Sequence, residues 1–98
     1  MSVLMEFAIF PTDKGESVSS YVARVLRVVQ ESGYPYRLTA MGTIVETATI
    51  SEATRLLDLA YAVLEPDCQR VYLVAKFDIR KGSKGRLSAK VRSVLEKL

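Results

Sequence analysis

The sequence predicts an α+β domain built on a four-stranded antiparallel sheet, and two observations support this. The apolar residues of the 98-residue chain fall into seven segments, some with the two-residue period of strands and others with the 3.6-residue period of helices. These segments follow the order β-α-β-β-α-β-α, whose first six elements form a split β-α-β arrangement. Because 49% of the residues are apolar and 26% are charged, we expect one globular domain over residues 1–98.

The first strand is predicted over residues 3–10, where Pro11 ends an aliphatic and aromatic run. A polar loop over 12–17 leads to a helix with Ser17 or Ser19 as its N-cap. Gly33 is a natural C-terminal stop for this helix, and Pro35 cannot continue it. The apolar stripe of the helix has the spacing i, i+3, i+4, i+7 and consists of Val22, Val25, Leu26 and Val29.

Two short strands, over 36–41 and 43–48, flank Gly42 and predict a hairpin. Ser51 is the predicted N-cap of a second helix, which Pro66 ends. The apolar stripe of that helix consists of Ala53, Leu56, Leu57, Ala60 and Leu64.

The longest strand is predicted over 70–80, followed by a loop over 81–85. The spacing of five apolar residues then predicts a helix at the C-terminus, with Leu87, Val91, Val94, Leu95 and Leu98 on one side. Right-handed crossovers put the two main helices on one face of the sheet. The expected fold is therefore a ferredoxin-like βαββαβ sandwich with an additional C-terminal helix.

Missing residue types exclude several kinds of site. The chain has no His, Trp or Asn, and Cys68 is its one cysteine. A His general base, an internal disulfide and a Cys/His zinc site are therefore excluded, and we expect neither a metal site nor a cofactor. No glycine pattern forms a phosphate-binding loop. The functions that remain are ligand binding and catalysis by carboxylate, Lys or Tyr side chains.

The N-terminus lacks a basic region followed by a long apolar one, and no apolar run reaches the length of a membrane span. Together with the single cysteine, this gives the expectation of a cytoplasmic protein that does not contact a membrane.

Charge is unevenly distributed along the chain. Residues 1–69 hold five Lys/Arg and nine Asp/Glu, whereas residues 70–98 hold nine and two. A basic C-terminal third could bind nucleic acid. However, Glu6 and Glu46 fall on the central strands, where they would repel phosphate. We therefore expect no nucleic-acid partner and interpret the basic residues as a solvated helix face and loop.

Strand alternation divides the sheet residues between its two faces. The residues expected under the helices are Val3, Met5, Phe7, Ile9, Leu38, Val45, Val71, Leu73, Ala75, Phe77 and Ile79. The opposite, open face carries an apolar patch too large for a monomer, made of Leu4, Phe10, Met41, Ile44, Tyr72 and Val74. The patch predicts a homo-oligomer that pairs through this face of its sheet.

The same open face also carries four charged residues, Glu6, Glu46, Lys76 and Asp78. A salt bridge that fixes strand register, Glu6–Lys76 or Glu46–Lys76, is one interpretation. A polar site inside an otherwise apolar interface, which is the composition of a small-molecule pocket, is the other. The two interpretations are compatible if a ligand replaces the ion pair when it binds.

Several segments together resemble the small thiamine-binding protein family, whose members are also described as binding hydroxymethylpyrimidine. The Met-Gly-Thr-x-x-Glu stretch, in its place after the second strand, is the most specific of them. The segments that carry the resemblance are residues 6–11, 15–17, 41–46, 76–80 and 90–98. The chain departs from the commoner pattern at Ala40 and Ser20, where a proline is frequent, and neither position is a polar site residue.

The resemblance implies a ferredoxin-like domain that binds a ligand without catalysis and pairs through its sheets, often as a dimer of dimers. Carried over by motif, the site positions are Glu6, Thr43, Glu46, Lys76 and Asp78. A carboxylate suits the thiazolium cation or the pyrimidine amino group, and a hydroxyl such as Thr39 or Thr43 can complete the pyrimidine edge. The implied function is thiamine storage, delivery or sensing.

Three other functions share this topology. An RNA-recognition module stacks bases on aromatic residues of its central strands, where this chain has Glu6 and Glu46. An acylphosphatase-like enzyme relies on an Arg and an Asn, and the chain has no Asn. An amino-acid-sensing regulatory domain, which also binds small ligands between paired domains, is the best alternative. Its usual signature is a second, attached domain.

Overall fold

A computed structural model describes residues 1–82 and 84–98 and confirms the predicted α+β architecture. The sheet is antiparallel with the strand order β2-β3-β1-β4. Of the predicted loop over 81–85, Ser83 lies outside the described residues. The elements are β1 (Ser2–Pro11), α1 (Ser19–Ser32), β2 (Tyr36–Leu38), β3 (Thr43–Thr47), α2 (Ile50–Ala62), β4 (Val71–Arg80) and α3 (Arg86–Leu95).

The two strands that flank β1 pair with different lengths of it. Strand β4 pairs with all ten residues of β1, from Ser2 opposite Arg80 to Pro11 opposite Val71. Strand β3 pairs only from Val3 to Phe7, because Thr43, its first residue, lies opposite Phe7. Residues 8–11 therefore have a strand on one side only, and the β2–β3 turn lies beside them.

The core lies between the sheet and the first two helices. As alternation predicted, Val3, Met5, Phe7 and Ile9 of β1 are buried on this face. Helix α1 adds Val25 and Val29, and α2 adds Ala53, Leu56 and Ala60. A fully buried aliphatic or aromatic side chain contributes roughly 1.5–3 kcal/mol, so this face supplies most of the stabilisation available to so short a chain.

The helix caps differ in detail from the predicted ones. Val18, not Ser17 or Ser19, is the N-cap of α1, and it makes no side-chain cap. Helix α2 begins after Thr49, not Ser51, and Thr49 forms a capping box with Glu52. A capping box satisfies two backbone N–H groups at once, here those of Glu52 and Thr49, so it is favoured over a lone serine two residues later.

The alternation of β4 buries fewer helix-side residues than predicted. Val71 and Ala75 pack against the core, but the prediction that Leu73, Phe77 and Ile79 do so is wrong. Leu73, Phe77 and Ile79 are 44%, 39% and 46% exposed. The helices lie over β1 and β3, and β4 is the outer strand of the sheet. Leu38, on the opposite edge strand, is likewise exposed instead of buried.

Gly42 gives a test of how the turn fits against β1. A Cβ at this position would lie 2.8 Å from the Phe7 carbonyl oxygen, a backbone atom that cannot move aside easily. We expect Gly42→Ala to lower the free energy of unfolding by about 1–3 kcal/mol, the usual cost of overpacking, as measured by urea denaturation. Ala40→Ser, an exposed change in the same turn, should stay within about 0.5 kcal/mol of wild type. Equal stability of Gly42→Ala and wild type would refute this packing.

Candidate functional site

A cavity of about 320 Å³ opens where β1 extends beyond β3. Its floor is residues 7–10 of β1, and one wall is the first part of α1, with Val18, Val22 and Val25. The other wall is the β2–β3 turn, residues 38–43. The lining is predominantly apolar, as in pockets that take small ligands.

A groove of about 310 Å³ on the open face of the sheet adjoins this cavity. Both are lined by Phe7, Ala8, Phe10 and Met41, and the Met41 side chain stands between them, 85% exposed. The two spaces therefore form one candidate site with an apolar inner part and an outer part on the sheet face.

The outer part contains the ion pair between Glu6 and Lys76, whose charged atoms are 3.0 Å apart. These residues are cross-strand neighbours on β1 and β4, which confirms the first of the two predicted salt bridges. Their side chains are 35% and 75% exposed, so the pair contributes at most about 1 kcal/mol to stability. A charged ligand can therefore replace either partner at little cost.

One ring of an aromatic pair lines the same groove. Phe10 lines it, and the centroids of the Phe10 and Tyr72 rings are 5.8 Å apart, with an interplanar angle of 32°. An aromatic face beside a carboxylate is a suitable environment for an organic cation.

The two threonines of the predicted site have different roles. The Thr39 hydroxyl donates to the Gly42 carbonyl oxygen at 2.8 Å and accepts from the Met41 and Gly42 N–H groups, each at 3.2 Å. These bonds use its full capacity and hold the turn in shape. Thr43 lines the cavity, and within the described residues its hydroxyl makes no side-chain hydrogen bond. Thr43 is thus the hydroxyl available to a ligand.

The remaining predicted site residues, Glu46 and Asp78, lie at the opposite end of the open face. Both are cross-strand neighbours of Leu4, two residues along β1 from Glu6. Glu46 accepts from the Ser2 hydroxyl at 2.7 Å and from the N–H groups of Arg86 and Leu87 at 3.1 and 3.2 Å. The structure therefore does not bring Glu46 together with Glu6 and Lys76; it places Glu46 at the first turn of α3.

Asp78 completes this second cluster, which we term the α3 anchor (Ser2, Glu46, Asp78, Arg86 and Lys90). Its carboxylate forms ion pairs with Arg86 and Lys90. The Arg86 side chain is only 5% exposed, and it also donates to the carbonyl oxygens of Ser2 and Asp78. Helix α3 thus covers one end of the face that the sequence analysis left uncovered.

The environment of Glu46 shifts its protonation. Burial acts to raise the pKa of the Glu46 carboxyl, but the Ser2 hydroxyl and the two N–H groups of α3 together outweigh it. The net result is a pKa below the ordinary value, so Glu46 holds α3 as a carboxylate at neutral pH.

The family model described as thiamine-binding protein matches residues 5–95 of the chain. The chain belongs to this family. A UPF0045 protein of Mycobacterium bovis is 35% identical over 94 residues, which cover 96% of this chain and 92% of the relative.

Solved structures agree with this assignment. The crystal structure of a hypothetical protein from Methanocaldococcus jannaschii is 29% identical, with a TM-score of 0.87 and 97% coverage of both chains. A second structure, from Thermotoga maritima, shares the fold at a TM-score of 0.79 and 16% identity, with 94% of this chain and 99% of that chain covered.

Two absences in the described part of the chain bear on possible sites. No helix there is long and apolar enough to cross a membrane. Within residues 1–82 and 84–98, no three His, Cys, Asp or Glu side chains gather as a metal site.

The lowered pKa of Glu46 predicts acid sensitivity of the α3 anchor. Because the folded-state pKa lies below the unfolded one, the stabilisation is complete above the unfolded value of about 4.3 and is lost as pH falls through the folded value. We expect Glu46→Gln to lower the free energy of unfolding at pH 7 by about 1–2 kcal/mol and to flatten the decline of that free energy below about pH 5, where the Glu46 carboxylate begins to be protonated. Denaturant titrations at several pH values measure both effects.

Glu65→Gln, which changes an exposed residue of the same type, is the control. Its free energy of unfolding should depend on pH as that of wild type does. An unchanged profile for Glu46→Gln would show that the carboxylate does not hold α3.

Proposed function

We propose that this chain binds thiamine or its hydroxymethylpyrimidine half at the candidate site, without turning it over. The observation that carries the proposal is that an apolar cavity of about 320 Å³ adjoins a groove that contains an exposed Glu6–Lys76 ion pair. That combination suits a ligand with a flat, weakly polar ring at one end and a positive charge at the other.

The inner part of the site suits the pyrimidine ring. Its volume is at the lower end of the range for ligand pockets, which matches a single substituted ring. The Thr43 hydroxyl, without another side-chain partner, can donate to or accept from the ring edge.

The outer part suits the thiazolium ring, which carries a fixed positive charge. Glu6 balances that charge once Lys76 is displaced, and Phe10 offers an aromatic face. We therefore assign ligand contact to Glu6, Thr43 and Lys76, and positioning of the turn to Thr39. Glu46 and Asp78, predicted as ligand contacts, are assigned to holding α3.

Family membership supports the same ligand, because the family is described by its binding of thiamine. The Thermotoga maritima neighbour carries a provisional assignment to thiamine biosynthesis or salvage. Storage, delivery or sensing of the vitamin are roles that require binding alone. Binding without turnover also agrees with the site, since the chain has no His and, among the described residues that line the groove, Glu6 is the one carboxylate.

We further propose that the chain forms a homo-oligomer, a dimer of dimers that pairs through its sheets. Nine of the fifteen large hydrophobic side chains exposed in the described part of the chain lie on β4 or beyond residue 90. These nine side chains present on the order of 700 Å² of apolar surface in total, divided between more than one side of the sheet. They are Tyr72, Leu73, Val74, Phe77, Ile79, Val91, Val94, Leu95 and Leu98.

The two sides of β4 imply two interfaces. Pairing through the open face covers Tyr72 and Val74, but Leu73, Phe77 and Ile79 point to the other side of the sheet. A second contact, along the edge of β4, is needed to cover them. Two different two-fold contacts per chain are what a dimer of dimers uses.

The binding proposal predicts a measurable response to ligand. At a hundredfold excess over Kd, hydroxymethylpyrimidine or thiamine should add about 2.7 kcal/mol of stability per site. For a domain of this size that corresponds to a rise in Tm of roughly 10 °C, readable by differential scanning fluorimetry. No heat in calorimetry and no rise in Tm at millimolar concentrations of either compound would eliminate the proposed ligand.

The Glu6 carboxylate should distinguish the two compounds. Glu6→Gln keeps the shape and removes the charge, so it should weaken thiamine about tenfold or more, the loss of one charge-assisted contact. The neutral hydroxymethylpyrimidine should lose much less. Glu16→Gln, on an exposed loop, is the matched control and should alter neither Kd. Equal losses for both compounds in Glu6→Gln would place the carboxylate at the pyrimidine instead.

Self-association is tested through Val74. Val74→Arg puts an unpaired charge into the proposed open-face contact and should shift the mass measured by light scattering towards smaller species. Arg55→Ala, at an exposed position on α2, is the control. A wild-type mass near one chain at micromolar concentration would disprove the oligomer.

A further inference from the structure

We propose that the backbone of Ile9 recognises the aminopyrimidine edge of the ligand, its N–H group donating to a ring nitrogen and its carbonyl oxygen accepting from the amino group. This inference rests on the proposed function and assigns the part of the site that selects the pyrimidine. It concerns the open edge of β1 and no side chain.

The directions of the β1 backbone groups follow from one hydrogen bond. The Thr12 N–H group donates to the Arg70 carbonyl oxygen at 2.8 Å, which continues the register of β1 and β4 by one pair. In an antiparallel ladder, hydrogen-bonded and non-hydrogen-bonded pairs alternate. The even-numbered residues of β1 therefore direct their N–H and C=O groups at β4. Its odd-numbered residues direct theirs at β3.

Strand β3 does not extend as far as Ile9. It begins at Thr43, opposite Phe7. If the ladder continued, the next hydrogen-bonded pair would be Met41 with Ile9. Met41 has left the ladder, and its N–H group donates to the Thr39 hydroxyl. Among the described residues, no hydrogen bond outside the strand ladders engages the backbone of Ile9. A donor and an acceptor of one residue thus point together away from β4 without a partner.

The cavity reaches these groups. Successive residues of a strand point to opposite faces, yet Phe7, Ala8, Ile9 and Phe10 all line the same cavity. A space that touches consecutive residues from both faces must extend to the edge of the strand. In the described part of the chain, the N–H and C=O groups of Ile9 that β3 leaves unpaired therefore face the ligand space.

The chemistry of that edge matches one pattern of ligand groups. An aminopyrimidine presents an acceptor, the ring nitrogen, directly beside a donor, the amino group. A strand residue presents an N–H donor and a C=O acceptor side by side. The edge of the aminopyrimidine is therefore complementary to it and can pair with β1 as the backbone of an additional strand would. The oxo analogue presents a ring N–H beside a carbonyl, which opposes donor to donor and acceptor to acceptor. The oxo analogue would leave the Ile9 N–H and C=O groups desolvated and without hydrogen bonds, and this cost discriminates strongly against it.

The first experiment compares hydroxymethylpyrimidine with the analogue in which an oxo group replaces the amino group. Calorimetry on the wild-type chain should give an affinity at least a hundredfold weaker for the oxo analogue. Equal affinity for the two compounds overturns this inference and leaves the proposed function standing. If neither hydroxymethylpyrimidine nor thiamine binds, the proposed function falls, and this inference falls with it.

The second experiment changes the backbone alone. Replacing Ile9 by its 2-hydroxy acid in the full chain substitutes an ester for the amide and removes the N–H group. Binding of hydroxymethylpyrimidine should weaken at least tenfold. The Tm should fall less than for the same change at Phe7, because the ladder does not use the Ile9 donor and the ester only weakens the Ala8 carbonyl as an acceptor from β4. The same change at Phe7, which is paired with Thr43, should lower the Tm. An ester at Ile9 that binds hydroxymethylpyrimidine like wild type overturns the assignment.

Discussion

The structure depends on a mismatch of strand lengths around β1. Strand β4 pairs with all ten residues of β1, whereas β3 stops at Phe7. Backbone groups left without a ladder partner bind a side chain, water or a ligand instead. The turn from β2 to β3, held by the Thr39 hydroxyl and fitted closely at Gly42, leaves that edge open and frames the cavity beside it.

The other end of the same face is closed by the protein itself. Glu46 and Asp78 bind the first turn of α3, and the nearly buried guanidinium of Arg86 joins them to the carbonyl oxygens of two strands. Removing charges from water is costly unless they are paired, and each partner here has an opposite charge or a hydrogen bond. The open face is thus divided between a structural cluster at one end and a candidate binding site at the other.

The sequence predicted what local patterns determine. The order of elements, the Gly33 helix stop and the cross-strand pair Glu6–Lys76 follow from spacing and strand alternation, and the structure confirms them. Which strand a helix covers depends on tertiary packing, so the exposure of Phe77 did not follow from its alternation. Nor did any pattern place Arg86 beside Glu46, since a contact across forty residues has no local signal. The capping box at Thr49, in contrast, was present in the sequence as Thr-x-x-Glu.

The claim that the end of β1 beyond β3 is the binding site can be tested by locating the ligand on the protein. A titration of the ¹⁵N-labelled chain with hydroxymethylpyrimidine, followed by amide chemical shifts, reports the position residue by residue. We expect the largest shifts at the amides of Ile9, Phe10, Met41 and Thr43, which line the cavity. Shifts confined to the amides of Arg86 and Leu87 would place the ligand at the α3 anchor and contradict the account.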